Sequence, residues 1–464
     1  GSGACRSSFG SSAGARPGAE GMGPVNPPEL KYHTLAEARK IHTVFSAECN
    51  PTFDWHAIGL FHSHKTSGQP GNITRLLACN ADELATYHGL GIGLPQATFV
   101  HHNHRTEFGM NYAAFNKPAS VLYWTRSGQV PPGVEFIMQL DADMLINRPV
   151  WPASLGVEYG TVLSAPYDYL VGTNSGLADQ FGVRNKSLQA RCGGMHVFHL
   201  EDLRRIAPLW LSFTERIRKY ACREPERFYE LASPKERTKS TQEYKGRRRQ
   251  FMWMVEMYGY VFGAAEAGVP RHKVLREMMA YVGNVNVMPG PYILHYGIDW
   301  QLHDKTGLQT YNFNKLTYQG LDPATCPRWF FPVVPESSVS NVRDRICVKQ
   351  IVDFNDALCA YYRRRCARPP LCPPRSKAEA PPQACADYND NCINWARSGE
   401  CDANPGFMAD GCRQSCGLCG AYAVRLGAAS TCADDGDDCE ARANKGACAA
   451  RREEMVELCR ASCG

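Results

Sequence analysis

Two aspartates one residue apart follow the most apolar predicted strand of the chain. Asp141 and Asp143 stand in FIMQLDADMLI, and apolar residues resume at Met144. Because side chains alternate faces along an extended strand, both carboxylates are predicted to point to the same side. Two like charges beside a core repel each other, so one should take up a proton unless a cation lies between them. The pattern favours a divalent metal site that binds an anionic ligand; the alternative is a polar turn at a strand end.

Further candidates lie in ILHYGIDW and YNFNKLTY. His295 is a candidate third metal ligand, or else a hydrogen-bonded core histidine. Coordination by an imidazole would favour Mn²⁺ over the alternative, Mg²⁺. Gly297 would let a ligand approach the backbone closely, because it has no Cβ. Lys315 could neutralise a phosphate group, or it could be a solvated surface lysine.

Three other positions combine polar groups or glycine with predicted structure. Asn116 and Lys117 precede a proline at a predicted helix start, where backbone N–H groups favour anions. Gly194 follows Gly193 between Cys192 and a predicted strand, and suits either close ligand approach or a simple turn. Glu256 lies among apolar neighbours in WMVEMYGY, which predicts either a hydrogen-bonded structural carboxylate or a functional one.

Alternating strand and helix patterns predict the framework for these residues. A strand at His42–Cys49, a helix at Phe53–Lys65 and a strand at Ile73–Cys79 form a βαβ unit. VEFIMQL is predicted to be a buried strand, and Trp253–Gly268 a buried helix. We therefore predict an α/β fold with a Rossmann-like sheet, whose ligands lie outside the carboxyl ends of its strands.

Composition bounds the compartment and the partners. The 464 residues carry a net charge of +5 from 51 basic and 46 acidic side chains, which does not indicate nucleic-acid binding. No run of 18 apolar residues predicts a membrane span. Of the 21 cysteines, 11 follow residue 384, which predicts disulfides and an oxidising secretory compartment. Sequons at Asn72 and Asn185 predict N-glycosylation in that compartment.

Shifts in composition divide the chain into five segments. Residues 1–30 read as a flexible lead or cloning remnant, and 31–366 as the large α/β domain. Residues 367–384 form a proline-rich linker. Two cysteine-rich modules follow at 385–419 and 432–464, and the second repeats the spacing of the first but stops one cysteine short. We expect that the chain ends inside this second module.

The spacing C-x6-C-x8-C-x10-C-x3-C-x2-C in the first module resembles the ShK toxin-like domain. Six cysteines alone leave their pairing open. Modules of this kind are expected to serve interaction or stability, since neither copy carries an evident catalytic residue. The resemblance implies three disulfides, which are Cys385–Cys419, Cys392–Cys412 and Cys401–Cys416.

Several blocks of the large domain together resemble a known enzyme family. They include HTVFSAECNPTFDWHAIGLFHSHKTSGQPGNITRLLAC, NKPASVLYW, LDADMLI, IAPLWLSFTE, EMYGYVFGAAEAG and LHYG. In this order they resemble the peptidyl serine α-galactosyltransferases of plants and green algae and, more distantly, the hydroxyproline O-arabinosyltransferases. The resemblance implies a GT-A fold, a UDP-galactose donor and a metal held by the D-x-D pair. It also implies galactose transfer to serine in hydroxyproline-rich, extensin-like glycoproteins. We expect this protein to act in the lumen of the secretory pathway, in the endoplasmic reticulum or Golgi.

The resemblance also implies residue roles. Asp141, Asp143 and His295 would bind the metal, and Ser46, Gln69, Arg75 and Lys117 would lie at or near the donor. For a retaining reaction no protein nucleophile is required; if a carboxylate assists, Glu256 is the first choice and Glu266 the second. A hydroxyproline-rich acceptor would arrive as a polyproline II helix, which suits aromatic surfaces. Candidate surfaces are Trp151, Tyr258 and Trp300, each of which could equally be core.

Two other functions compete with this one. Transfer of arabinose to hydroxyproline would be an inverting reaction and would require a general base. A catalytically inactive metal- or sugar-binding scaffold would explain the appended cysteine modules. It is disfavoured because both aspartates and His295 are present.

Overall fold

The computed structural model describes residues 35–93, 97–107, 111–232, 254–283, 287, 290–374, 392–403 and 415. The predicted lead, part of the linker and most of both cysteine-rich modules lie outside these residues. The helices are α1 Leu35–Ala38, α2 Pro51–Thr66, α3 Ala81–Thr86, α4 Asn116–Arg126, α5 Gly176–Gln180, α6 Leu200–Arg223, α7 Pro225–Ala232, α8 Val255–Glu266, α9 Val342–Arg365, α10 Cys392–Arg397 and α11 Glu400–Ala403. The strands are β1 Ile41–Glu48, β2 Asn72–Ala78, β3 Thr98–His101, β4 Phe136–Leu140, β5 Met144–Ile146, β6 Thr161–Pro166, β7 Cys192–His199, β8 Arg271–Val274, β9 Met279–Tyr281, β10 Ile293–His295, β11 Asp299–His303 and β12 Gln309–Asn314.

The predicted βαβ unit is β1, α2 and β2. Helix α2 begins where Asn50 caps it by accepting a hydrogen bond from the Phe53 N–H, and Pro51 occupies the first turn. Strand β1 is parallel to β2 along its length. A disulfide between Cys49 and Cys79 joins the ends of the two strands. This prediction is therefore confirmed.

The main sheet has seven strands in the order β3-β2-β1-β4-β7-β6-β8. Strand β7 is antiparallel to both of its neighbours, β4 and β6, so the carboxyl ends of β1, β4 and β6 share one edge with the amino end of β7. Strand order reverses between β1 and β4, because β2 lies on one side of β1 and β4 on the other. Ligands of open α/β sheets bind at such a point.

Helices cover both faces of this sheet. Phe45 and Met138 point into a core shared with α2 and α9, whereas their neighbours Val44 and Ile137 point into a core shared with α4, α6 and α8. The sheet is thus buried on both sides, which explains why its strands read as nearly continuous apolar runs. The predicted α/β class, a mixed sheet flanked by helices, is confirmed.

Two smaller sheets extend the framework beyond β4. Strands β5, β10 and β9 form one sheet, in which His295 is paired with Met144 and Tyr281. Strands β11 and β12 form a hairpin that follows directly. The small sheet therefore brings His295, which is distant in sequence, next to the residues that follow Asp143.

Disulfides and sequons fit the expected oxidising compartment. Besides Cys49–Cys79, the structure contains the disulfide Cys326–Cys366 within the large domain and Cys359–Cys372, which joins α9 to the predicted linker. Cys392 and Cys401 are also disulfide-bonded, and their predicted partners lie outside the described residues. Asn72 and Asn185 are exposed at the surface. Among the helices that the structure describes, none is long and apolar enough to cross a bilayer.

Candidate active site

The two aspartates occupy a turn and not a strand, which corrects the sequence-based expectation. Strand β4 ends at Leu140 and β5 begins at Met144. Ala142 is buried in the core below the turn, while Asp141 and Asp143 remain partly exposed. Because the chain turns between them, the two carboxylates face different partners. Each aspartate has a lysine among its partners.

Asp141 shares one lysine with Glu256. The Lys117 Nζ lies 2.6 Å from Asp141 Oδ1 and donates a hydrogen bond of 2.9 Å to Glu256 Oε2. Lys117 is in the first turn of α4 and Glu256 in the first turn of α8, so two helices meet at the end of β4. Burial disfavours the charged lysine, but the Asp141 and Glu256 charges outweigh it and raise the pKa of Lys117. Burial raises the pKa of Glu256, and Lys117 opposes that rise.

Asp143 has a lysine and a histidine as partners. The Lys315 Nζ donates a hydrogen bond of 2.6 Å to Asp143 Oδ2, and His295 Nε2 lies 3.3 Å from Asp143 Oδ1. Burial opposes ionisation of Asp143, but the charges of Lys315 and His295 prevail and hold its pKa well below the ordinary value. Asp143 is therefore a carboxylate at neutral pH.

The predicted metal ligands differ in how far they are already occupied. His295 Nδ1 is buried without a hydrogen bond, whereas Asp141 Oδ1 contacts the Lys117 ammonium group. Across the described residues, no three His, Cys, Asp or Glu side chains already converge as a metal site. Asp143 and His295 lie side by side, while Asp141 contacts Lys117. Oxygen and imidazole donors of this kind suit Mn²⁺.

Both predicted close-approach glycines have a positive φ and face a tyrosine. Gly194 has φ +72°, and a Cβ there would lie 2.2 Å from the Tyr167 hydroxyl. Gly297 has φ +61°, and a Cβ would lie 2.3 Å from the Tyr281 hydroxyl. Gly194 lies inside β7 and not before a strand, which corrects its predicted position. In both places a side chain would collide with an aromatic ring that borders the site.

A buried polar network adjoins the reversal point of the sheet. The Asn116 side-chain amide donates to Glu48 Oε1 and Asn103 Oδ1, both at 2.9 Å. Its oxygen accepts a hydrogen bond from the His104 N–H. Ser120, one turn beyond Asn116 in α4, has its Oγ 2.9 Å from the Oγ of Ser46 in β1. Asn116 and Ser46 thus lie at the carboxyl end of β1, as a donor site at this edge requires.

Gln69 and Arg75 have structural surroundings instead. The Gln69 side-chain oxygen accepts from the Val150 N–H at 2.8 Å. Arg75 is fully buried, donates to the Gly89 carbonyl oxygen at 2.9 Å and pairs with Asp54. Both side chains therefore make structural contacts with neighbouring loops. Their place at or near the donor stays a prediction.

Two of the three predicted aromatic platforms are core residues, which is the alternative that the sequence left open. Tyr258 is buried and its hydroxyl donates to the Ala232 carbonyl oxygen at 3.0 Å. Trp300 is buried, stacks on Phe313 and donates to Gln350 Oε1 at 3.0 Å. Trp151 is partly buried. Tyr258 and Trp300 therefore belong to the core, as large aromatic side chains commonly do.

Sequence reasoning missed other residues that border the site. Tyr167 and Tyr169 follow β6 at the same edge as Asp141. His56 of α2 is buried near Asp143; burial and then the Lys315 charge lower its pKa to about 3. Two tyrosines close after the apolar run TVLSAP are the signal that could have indicated the first pair. His56 offered no local signal, because it lies in an apolar helix.

The chain is similar to peptidyl serine alpha-galactosyltransferases. The protein of that name from Arabidopsis thaliana is 39% identical over 264 residues, which cover 57% of this chain and 30% of that protein. The one from Chlamydomonas reinhardtii is 27% identical over 452 residues, covering 83% and 56%. The chain thus spans less than two thirds of the length of either relative.

Other comparisons concern the modules and the fold. A family profile described as ShK domain-like matches residues 384–419 and 431–464, so the chain carries ShK-like modules at its carboxyl end. The solved galactosyltransferase LgtC matches with 12% identity and a TM-score of 0.31 over 55% of this chain and 87% of that chain. The bifunctional glycosyltransferase WbbM matches with 14% identity and a TM-score of 0.31, over 56% and 46%.

Proposed function

We propose that this protein is a metal-dependent, retaining glycosyltransferase that moves galactose from UDP-galactose to serine in hydroxyproline-rich, extensin-like glycoproteins. The observation that carries the proposal is the cluster of Asp141, Asp143, Glu256 and His295 at the ligand-binding edge of the sheet. The names of the two relatives support the sugar and the acceptor residue. The disulfides support a secretory lumen, the endoplasmic reticulum or Golgi, as the site of action.

Asp141, Asp143 and His295 would hold Mn²⁺, with Mg²⁺ as the alternative. His295 Nε2, which lies beside Asp143 Oδ1, fits this role, although Asp141 must first exchange its contact with Lys117. A divalent cation bound there would offset the negative charge that develops on the diphosphate leaving group. Lys117 and Lys315 contact the same carboxylates and would contribute point charges to that diphosphate.

The reaction requires no protein nucleophile. The serine Oγ forms a bond to the anomeric carbon as the bond from that carbon to the β-phosphate oxygen breaks. The serine proton passes to the departing phosphate oxygen, which gives galactosyl-serine and UDP. With an α-linked donor and an α-linked product, the attack comes from the face that the phosphate leaves.

Glu256 is the candidate carboxylate for this centre. Its hydrogen bond to Lys117 places it beside Asp141, and burial disfavours its ionised form. A carboxylate at this position would stabilise positive charge on the sugar ring in the transition state. Glu266, the second choice, lies at the other end of α8, where it accepts a hydrogen bond of 2.6 Å from the Arg184 N–H.

Mass spectrometry of a peptide with serine before a run of hydroxyprolines tests the proposal. We expect a hexose on serine with UDP-galactose and Mn²⁺, lost with EDTA or in Asp143→Asn. A pentose on hydroxyproline from UDP-arabinofuranose would replace the proposal with the arabinosyltransferase. Binding of UDP without any transfer would favour a sugar-binding scaffold. Normal turnover of Glu256→Gln would remove Glu256 from the reaction.

A further inference from the structure

Two tyrosines after β6 form an aromatic ledge, defined here as Tyr167 and Tyr169. Their ring centroids are 4.9 Å apart with the ring planes tilted by 31°. Tyr167 is 6% exposed, whereas Tyr169 is 41% exposed. Tyr167 is fixed against the backbone of β7, because a Cβ at Gly193 would lie 2.4 Å from its ring. The inner ring therefore supports the outer one, which presents part of its surface to solvent.

The ledge lies beside the reaction centre. The Tyr169 hydroxyl donates to the sulfur of Met257 at 3.3 Å, and Met257 directly follows Glu256. Burial and then the charges of Asp141 and Glu256 raise the pKa of Tyr169. Its phenol is therefore within electrostatic reach of both carboxylates.

Sheet order indicates which substrate the ledge faces. The nucleotide of the proposed donor is expected between β1 and β4, where strand order reverses. Strand β6 lies two positions beyond β4, at about 10 Å by ordinary strand spacing, on the side away from β1. Asp141 directly follows β4, and Lys117 joins it to Glu256. The ledge therefore lies beyond β4 from the expected nucleotide, on the side from which the acceptor would approach.

The chemistry of the ledge favours a peptide over a sugar. The Tyr169 hydroxyl is turned to the sulfur of Met257, so the exposed part of the residue includes an aromatic face flanked by an apolar side chain. Proline-type rings pack on such faces with little loss of conformational entropy.

We propose that Tyr169, supported by Tyr167, is the surface on which the residue next to the acceptor serine packs. This inference rests on the proposed transfer to a serine peptide. It also replaces Tyr258 and Trp300, whose rings are buried, with a residue that is exposed at the site. Tyr169 is a specificity-determining residue in this assignment and takes no part in bond making.

Steady-state kinetics of Tyr169→Ala with the hydroxyproline-rich serine peptide test the assignment. The KM for the peptide is expected to rise about tenfold, while the KM for UDP-galactose stays within about twofold. Tyr169→Phe keeps the ring and should restore the peptide KM. Tyr159→Ala is the matched control, because Tyr159 is 60% exposed and lies before β6, at the opposite edge of the sheet.

Direct binding separates failure of this inference from failure of the proposed function. Fluorescence anisotropy of the labelled peptide should show binding to the wild-type chain and about tenfold weaker binding to Tyr169→Ala. If the wild-type chain transfers no galactose but this difference remains, the transferase proposal fails and the ledge stands. An unchanged peptide KM and affinity in Tyr169→Ala would overturn the ledge, as would a rise confined to the KM for UDP-galactose.

Discussion

Replacing Lys117 with methionine should destabilise the protein far more than removing an ordinary surface lysine. The side chains of Lys117 and Glu256 are 14% and 3% exposed, and Asp141 lies on the other side of the ammonium group. Removing one partner of a buried ion pair costs about 3–5 kcal/mol, because the remaining charge is left uncompensated. Here two carboxylates lose the same partner, so we expect a loss of about 4 kcal/mol in the free energy of unfolding.

Urea unfolding in EDTA at pH 8, followed by tryptophan fluorescence, measures this loss without a divalent cation that could replace the ammonium group. Lys219→Met is the matched control, since Lys219 is 53% exposed and pairs with Glu215 one helical turn away. It should cost about 0.3–0.5 kcal/mol. The reasoning would be refuted if Lys117→Met lost no more stability than this control.

Acid and a second substitution test the electrostatic cause. Burial already raises the pKa of Glu256, and loss of Lys117 removes the charge that opposes that rise. A carboxyl group whose pKa is raised in the folded protein contributes to the free energy of unfolding at low pH. That contribution is lost as pH rises through the pKa of the folded state. The deficit of Lys117→Met should therefore shrink from pH 8 to pH 5. Adding Glu256→Gln should restore about 1–3 kcal/mol at pH 8.

Three further perturbations have defined outcomes. Burial lowers the pKa of His42 to about 4 from 6.5, so the free energy of unfolding falls as pH falls through this window. Urea unfolding should show that the wild type loses about 2 kcal/mol between pH 8 and pH 5 through this residue and that His42→Gln avoids this loss. An equal dependence of the unfolding free energy on pH in both proteins would contradict this. Gly194→Ala places a Cβ 2.2 Å from the Tyr167 hydroxyl at a positive φ. The substitution should lower the free energy of unfolding by about 2–4 kcal/mol. A variant as stable as the wild type would show that the added Cβ does not clash. Replacing Cys49 and Cys79 by alanine opens a loop with a sequence separation of 30; a loss of about 2–4 kcal/mol is expected in thermal or urea unfolding, and no loss would show that this disulfide is dispensable.

Local patterns predicted the framework, because strands and helices leave periodic signals. The first βαβ unit, the β4 strand and the buried helix that contains Glu256 were all indicated by their apolar runs. Asn116 and Lys117 were correctly placed at a helix start by the following proline. The turn at Asp141 and Asp143 was not predicted, since a strand that ends at Leu140 and one that continues look alike until the pairing of β5 with β10 is known.

Side-chain partners could not be predicted in the same way. The contact of Lys117 with Glu256 spans 139 positions, and that of Lys315 with Asp143 spans 172. The periodicity of helices and strands gives no information about contacts between residues so far apart in the sequence. The family resemblance implied that Arg75 lies at or near the donor, but the sequence could not show that it is fully buried and contacts Asp54 and the Gly89 carbonyl oxygen. Only the fold decides whether a basic residue faces a ligand or fixes a loop.

The turn between the two aspartates gives the site two electrostatic halves. Buried Ala142 anchors the turn, so Asp141 faces Lys117 and Glu256 while Asp143 faces Lys315 and His295. Three carboxyl groups thus contact two ammonium groups, and with all three ionised these five groups carry one net negative charge. A divalent cation would turn that balance positive, and a positive cluster suits a diphosphate leaving group. Without a metal, the two lysines would leave the cluster with a net negative charge that repels the diphosphate. This charge balance is the physical reason to expect that donor binding depends on a metal.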